Sequence, residues 1–152
     1  MSTAAEPALR VDFYVLEATA PQARLKLACR VAEKAYLAGQ SVLIWHTDRQ
    51  ELAELDTLLW TFSDRSFVPH ELLSSADAPC AAPVRLLAGS PPALPADIII
   101  NLAAEVPPSL ALTRRVAEIV GGDEERLQAG RARFRAYREL GVTPEHHSIK
   151  GD

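Results

Sequence analysis

The sequence predicts an α/β domain in which a mostly parallel sheet lies between layers of helix. Short β-rich runs alternate with longer stretches of helical periodicity, the order that builds right-handed β-α-β units. Two of the runs, residues 42–45 and 97–102, are almost continuously apolar, as strands covered on both faces are. At 152 residues the chain is the size of one domain, which buries roughly 68–70% of its unfolded surface.

Residues 11–16 read as the first strand, and Pro21 opens a helix at its first turn. Leu25, Ala28, Cys29, Ala32, Ala35 and Tyr36 form the apolar stripe of that helix, and Gly39 ends it. After the strand at 42–45, Asp48 followed by Glu51 resembles a capping box for a second helix that carries Leu52, Leu55, Leu58 and Leu59 and ends near Trp60. A short segment at 67–70 leads into a Ser/Ala/Pro loop at 74–83, and residues 84–88 form another strand. Pro91, Pro92 and Pro95 mark a further loop, the buried strand at 97–102 follows, and residues 107–109 lead into a short helical turn. Residues 114–120 fit a strand or a helix end, and the prompt stop at Gly121 and Gly122 favours a strand. Asp123 caps a last helix over residues 124–140, with Glu124 and Glu125 at its positive end and Gly141 beyond it. The expected organisation is a flexible N-terminus at 1–10, the domain at 11–142 and a polar, mobile tail at 143–152.

Composition narrows the function. Hydrophobic content of 48% and charged content of 24% are those of a soluble globular protein. The formal net charge of −4 argues against a general coat for nucleic acid. No apolar run reaches the ~18 residues of a membrane helix, and the first ten residues lack the pattern of a secretory leader, so a cytoplasmic protein is expected. Cys29 and Cys80 have no CxxC spacing and read as free thiols.

An α/β domain of this kind invites a nucleotide, but the turn at 17–21 after the first strand has no glycine to let a phosphate approach the backbone. Gly121 and Gly122 lack a following Lys-Ser/Thr, and Asp48, which could imitate a ribose-binding acid, is explained by helix capping. His46 with Asp48 has no nucleophile beside it, and His146 and His147 sit in the tail, where solvated side chains are commoner than metal ligands. No catalytic residue, cofactor or metal is expected.

Two features suit a protein partner. The last helix carries Arg126, Arg131, Arg133, Arg135 and Arg138. Leu127, Arg131, Phe134, Arg135 and Arg138 share one helical face, which can pair with carboxylates or phosphates while gripping an apolar group. The bland alternative is a solvated face. The second feature is the run 58–70, which concentrates Trp60, Phe62, Phe67 and Val68 in a turn of a chain with few aromatics. It is either an exposed apolar patch for a partner or an extension of the core.

The ordered set Phe13-Tyr-Val-Leu16, Ala35…Gly39…Val42-Leu-Ile44, Leu58-Leu-Trp-Thr-Phe62, Ser66-Phe-Val-Pro-His70, Asp97-Ile-Ile-Ile-Asn-Leu102, Val116-Ala-Glu-Ile-Val120 and Arg131-Ala-Arg-Phe-Arg-Ala-Tyr-Arg138 resembles the chi subunit of bacterial DNA polymerase III holoenzyme. The resemblance implies a single Rossmann-like, three-layer domain with no nucleotide-binding loop and no catalysis of its own. It implies a link between the clamp-loader assembly and single-stranded-DNA-binding protein (SSB), made by binding SSB's acidic C-terminal tail. Val120 would form the pocket for the tail's terminal phenylalanine, Arg131 and Arg135 would pair with its carboxylates, Arg138 would assist, and Phe134 stands where the family has a tyrosine. Leu127 departs from relatives that carry a lysine there, and Arg126 or Arg133 could compensate only if the helix were rotated. Trp60, Phe67, Val68, Pro69 and His70 match the region through which the family contacts psi, or a helicase in some relatives. DNA would be contacted only indirectly. The runner-up functions are a small nucleotide-using α/β enzyme and direct single-strand binding through the arginine helix.

Overall fold

A computed structural model describes residues 9–63, 67–75, 80–89, 95–108 and 110–150. Its elements are β1 (Arg10–Leu16), α1 (Pro21–Leu37), β2 (Val42–His46), α2 (Arg49–Thr61), β3 (His70–Leu72), β4 (Val84–Ala88), β5 (Ala96–Asn101), β6 (Thr113–Val120), α3 (Glu124–Glu139) and β7 (Glu145–Ile149). The strands form one sheet in the order β3-β4-β2-β5-β6-β1-β7, and every pairing in it is parallel. No helix among the described residues is long and apolar enough to cross a membrane.

Alternation along the strands divides the core. Val42 and Ile44 of β2, Ile98 and Ile100 of β5, and Ala117 and Ile119 of β6 pack with Leu25, Ala28, Ala32, Leu52, Leu55 and Leu59 of α1 and α2. On the opposite face Val11 and Phe13 of β1 and Val116 and Val120 of β6 pack against Tyr137 of α3. The rest of that face, around Leu43, Trp45 and Ile99, is covered by Leu73, Ala103 and Cys80. Cys29 lies in the first core, where burial pushes its thiol up to about 12 and leaves it unreactive.

The expected strand at 114–120, the helix starts at Pro21 and Asp123, and the cap at Asp48 all appear. Asp48 accepts from the backbone N–H groups of Gln50 and Glu51. Only half of a capping box forms, because the Glu51 side chain turns inward to Arg24 and His46 instead of back to the cap. After residue 107 the chain makes one hydrogen-bonded turn at 111–112, closed by the Thr113 N–H on the Leu110 carbonyl at 3.4 Å; Ser109 lies outside the described residues, as do residues 1–8 of the expected flexible N-terminus. β1 begins at Arg10, one residue inside that expected N-terminus.

The largest correction concerns the expected mobile tail. Residues 145–149 are β7, an edge strand parallel to β1, with Phe13 opposite His146 and Tyr14 opposite His147. A polar edge strand has no apolar alternation to announce it, and this one is fixed by side chains. Asp12, wholly buried, accepts from Arg10 Nε at 3.0 Å, Arg115 Nε at 3.0 Å and His147 Nε2 at 2.9 Å. The His147 ring stacks on Tyr14 at 5.0 Å, and the Tyr14 hydroxyl accepts from Arg115. Burial opposes ionisation of Asp12, but the bonds from His147, Arg10 and Arg115 outweigh it and hold the carboxyl below its ordinary value.

Candidate functional site

The arginines of α3 separate into two kinds. Arg133 is buried, and its Nε donates to Glu118 Oε1 at 2.8 Å while Nη1 donates to the Ala104 carbonyl at 3.1 Å. Glu118 also accepts from Asn101 Nδ2 at 2.9 Å and from the Tyr137 hydroxyl at 2.7 Å. Burial pushes the Glu118 carboxyl up, against the pull of Arg133 and these donors. Tyr137 is raised as well, by burial and by the Glu118 charge. Arg133 therefore fastens α3 to β6 and is not free to compensate for Leu127. Arg126 is also turned away, toward Asp123 at 3.3 Å and Glu51 at 3.8 Å.

The other arginines face solvent. Arg131 is exposed and, among the described residues, reaches only Glu124, at 3.8 Å. Arg135 and Arg138 are exposed and make no ion pair among the described residues. Beside Arg131 a groove of about 160 Å³ opens between α3 and the β6-β1-β7 edge, lined by Phe13, Val15, Val120, Leu127, Gly130, Arg131, Phe134 and His146. A cavity of roughly 150 Å³ accepts a benzene ring, so one aromatic side chain matches the space. The Phe134 ring packs on Phe13 at 5.2 Å. Arg135 and Arg138 do not line the groove; they continue its basic side along the helix, Arg138 ~10 Å beyond Arg131.

The structure thus brings Val120, Arg131 and Phe134 together and sets Arg135 and Arg138 outside the pocket. Sequence reasoning missed Phe13, Val15, Gly130 and His146. The signal was there for Gly130, because a glycine inside a helix asks for a packing reason. A Cβ at Gly130 would lie 3.0 Å from Val120 Cγ1 and 3.3 Å from Cγ2. The bare helix backbone is what lets Val120 form the floor.

The second patch is on the far side of the sheet order. Trp60 is 54% exposed and Phe67 65%, their rings 5.6 Å apart. Trp60 also packs on His70 at 4.5 Å. The His70 side chain is buried, with Nδ1 donating to the Val68 carbonyl at 2.7 Å and Nε2 3.1 Å from the Asp56 carbonyl. Val68 is in the core, Pro69 is half-buried, and Phe62 packs against the core as partly buried. Trp60 and Phe67 are therefore the presented groups, and Val68 and His70 hold the turn that presents them. Ser66 lies outside the described residues.

A third hollow, of about 240 Å³, lies at the carboxyl ends of β2, β5 and β6, where open α/β sheets hold ligands. Several of its polar groups are paired with one another. His46 Nδ1 accepts from the N–H groups of Thr47 and Asp48, so Nε2 carries the proton and donates to Glu51 Oε1 at 2.7 Å. Burial lowers the His46 pKa and favours the neutral ring. Arg24 donates to Glu51 and to the Leu102 carbonyl. Where a phosphate would approach the turn after β1, a Cβ on Gly122 would meet the carbonyl oxygens of Leu16, Glu17 and Ala18 within 2.8 Å, acceptors rather than the N–H donors a phosphate needs.

The family described as DNA polymerase III chi subunit, HolC, matches residues 9–145. The chain is 42% identical over 140 residues to DNA polymerase III subunit chi of Pseudomonas aeruginosa, covering 92% of this chain and 96% of that protein. It is 29% identical over 117 residues to the subunit of the same name from Escherichia coli, covering 76% and 79%. With the Haemophilus influenzae subunit chi it shares 27% over 131 residues, covering 86% and 90%. The chain belongs to the DNA polymerase III chi subunit family.

Proposed function

We propose that this chi-family chain is a non-catalytic accessory subunit that links the polymerase III holoenzyme, at its clamp-loader assembly, to SSB by binding SSB's acidic C-terminal tail. The observation that carries the reading is the groove of Val120, Leu127, Gly130 and Phe134 with Arg131 at its rim. An apolar slot for one ring beside an exposed guanidinium suits a peptide that is acidic and ends in an aromatic residue. Arg135 and Arg138 extend the basic side toward the preceding carboxylates. Arginine fits this better than lysine because its fork matches a carboxylate. Because the charges are exposed, binding weakens as salt rises. DNA is contacted through SSB, consistent with a net charge of −4.

The test is calorimetric titration of an SSB tail peptide. Arg131→Ala and Arg135→Ala each weaken binding by more than ~1 kcal/mol, the scale of one charge-assisted hydrogen bond. Unchanged affinity in both variants would overturn the site. A pull-down with SSB carrying and lacking its last residues tests the function itself.

The exposed Trp60 and Phe67 pair supports a second, separate contact, with psi or with a helicase that uses the same patch. Paired, half-exposed aromatics are the kind of residue that dominates interface energetics.

A further inference from the structure

α1 packs against β2, β5 and β6, and among the described residues no second helix continues its layer over the outer strands β1 and β7. A hollow of about 630 Å³ lies there, on the face of β1 opposite the α3 groove. The charges that line it are of one sign. α1 contributes Arg30 and Lys34, four residues apart and so ~6 Å along one helical face, both exposed and without an ion pair among the described residues. The strands contribute Arg10 and Arg115. Two acids are close, the buried Asp12 bonded to both strand arginines and Glu145, 3.7 Å from Arg10. Four cations against two acids leave the hollow positive in a chain of net charge −4. The same hollow holds an aromatic pair. The Tyr14 and His147 rings stack at 5.0 Å and 19° from parallel, and 38% of the His147 side chain stays exposed. Arg115 holds the Tyr14 hydroxyl and Asp12 holds His147 Nε2, so the pair is fixed in orientation. Leu27, Val31 and Ile149 add apolar surface beside it.

We propose that this hollow is a contact for single-stranded nucleic acid, with phosphates on Arg30, Lys34 and Arg10 and a base laid on the Tyr14–His147 stack. Cations that follow a backbone, with an aromatic platform beside them, hold single strands without reading their sequence. The α3 groove, at about 160 Å³, has room for one ring; this hollow, at about 630 Å³, has room for a base with its sugar and phosphates. The contact goes beyond the tail reading and does not depend on it. Because the chain as a whole is acidic, the contact is local and weak, and it adds to a hold made through SSB rather than replacing it.

The experiment is fluorescence anisotropy of a labelled oligothymidylate of about 16 nucleotides, the upper site size of one single-strand-binding fold, titrated with the full chain from about 50 mM salt upward. The wild type binds, and log affinity falls linearly with log salt. Arg30→Ala and Lys34→Ala, both at exposed helix positions, each weaken binding about fivefold or more and reduce the salt slope by about 0.7, the value for one phosphate contact on a single strand. Arg49→Ala removes an exposed cation on α2, which packs at the other end of the sheet, and leaves binding unchanged. No binding by the wild type at the lowest salt overturns the inference, and so does unchanged affinity in Arg30→Ala and Lys34→Ala. A loss in Arg49→Ala equal to theirs also overturns it, because bulk charge alone would then be at work. Competition by a polyaspartate peptide as strong as that by unlabelled oligothymidylate overturns it too, since the site would then take any polyanion. None of these outcomes bears on the tail reading, which is tested with the tail peptide and the arginines of α3.

Discussion

Arg133 Nε on α3 donates to Glu118 Oε1 on β6 across 2.8 Å, both side chains out of water, while Arg131, two residues earlier, points into solvent. Two residues of the same type and nearly the same place in the sequence do different work. Removing Arg133 strands a buried carboxylate that also holds Asn101 and Tyr137. Arg133→Ala should therefore lower unfolding free energy by about 3–5 kcal/mol, the cost of breaking a buried pair from one side. Arg131→Ala should change it by less than about 0.5 kcal/mol. Chemical denaturation of both variants checks this, and equal effects would show that the pair does not anchor the helix.

Asp12 makes the attachment of β7 sensitive to acid. Its folded pKa is lowered, so its contribution is fully present above the unfolded carboxylate value and is lost as pH falls through the folded one. For an aspartate the unfolded value is about 3.9. Asp12→Asn should cost about 1.5–3 kcal/mol near neutrality, the range for hydrogen bonds to charged groups, and its deficit against the wild type should shrink below about pH 4. Denaturation midpoints of both proteins at neutral and acid pH measure this. A deficit that is constant with pH would mean that the Asp12 carboxylate is not the fastening charge.

How much of this was legible depended on where each signal came from. The strands at the centre of the sheet, β2 and β5, were visible because burial on both faces demands apolar runs such as Ile98, Ile99 and Ile100. α3 was visible because Asp123 caps it and Gly141, at φ 86°, stops it. β7 was not, because an edge strand held by Asp12 and His147 needs a partner more than a hundred residues away in the chain, and no local period records it. The same limit hid half of the site. Helical spacing put Arg131, Phe134, Arg135 and Arg138 on one face, but only the strands behind that face decide which residues border a hollow. Phe13, Val15 and His146 come from β1 and β7, and periodicity on α3 carries no information about them. Burial of Arg133 was likewise unreadable, since its partner Glu118 lies on another element and no local spacing ties the two together.

The aromatic patch should behave as a contact surface and not as core. Trp60→Ala and Phe67→Ala remove exposed rings and should leave the fold intact, while weakening a psi or helicase contact by about 2 kcal/mol or more if they are its anchors. Val68→Ala is the contrast, because Val68 is 1% exposed and packs in the main core. It should destabilise the domain by roughly 1–3 kcal/mol through lost burial and the cavity left behind. Thermal unfolding together with co-purification of the partner separates the two outcomes. Loss of binding in Val68→Ala without loss of stability would place Val68 in the interface itself.

Gly130 joins fold and function at a single position. In the middle of a helix, alanine is about 0.8–1.0 kcal/mol better than glycine. Here the added Cβ would sit 3.0 Å from Val120 Cγ1, tighter than ordinary contact, and the β-branched Val120 has little rotamer freedom with which to retreat. The gain in helix propensity and the cost of crowding are similar in size, so Gly130→Ala should alter unfolding free energy by less than about 1 kcal/mol. The groove should respond far more, because the new methyl enters the floor where the peptide's ring would lie and pushes Val120 toward the same space. Affinity for the acidic, aromatic-ended peptide should fall about fivefold or more, comparable to a ~1 kcal/mol loss at one well-packed anchor. Parallel thermal unfolding and peptide titration measure the two effects on one sample. Undiminished affinity in a folded Gly130→Ala protein would mean that no ring enters between Val120 and α3, even if Arg131 proves essential.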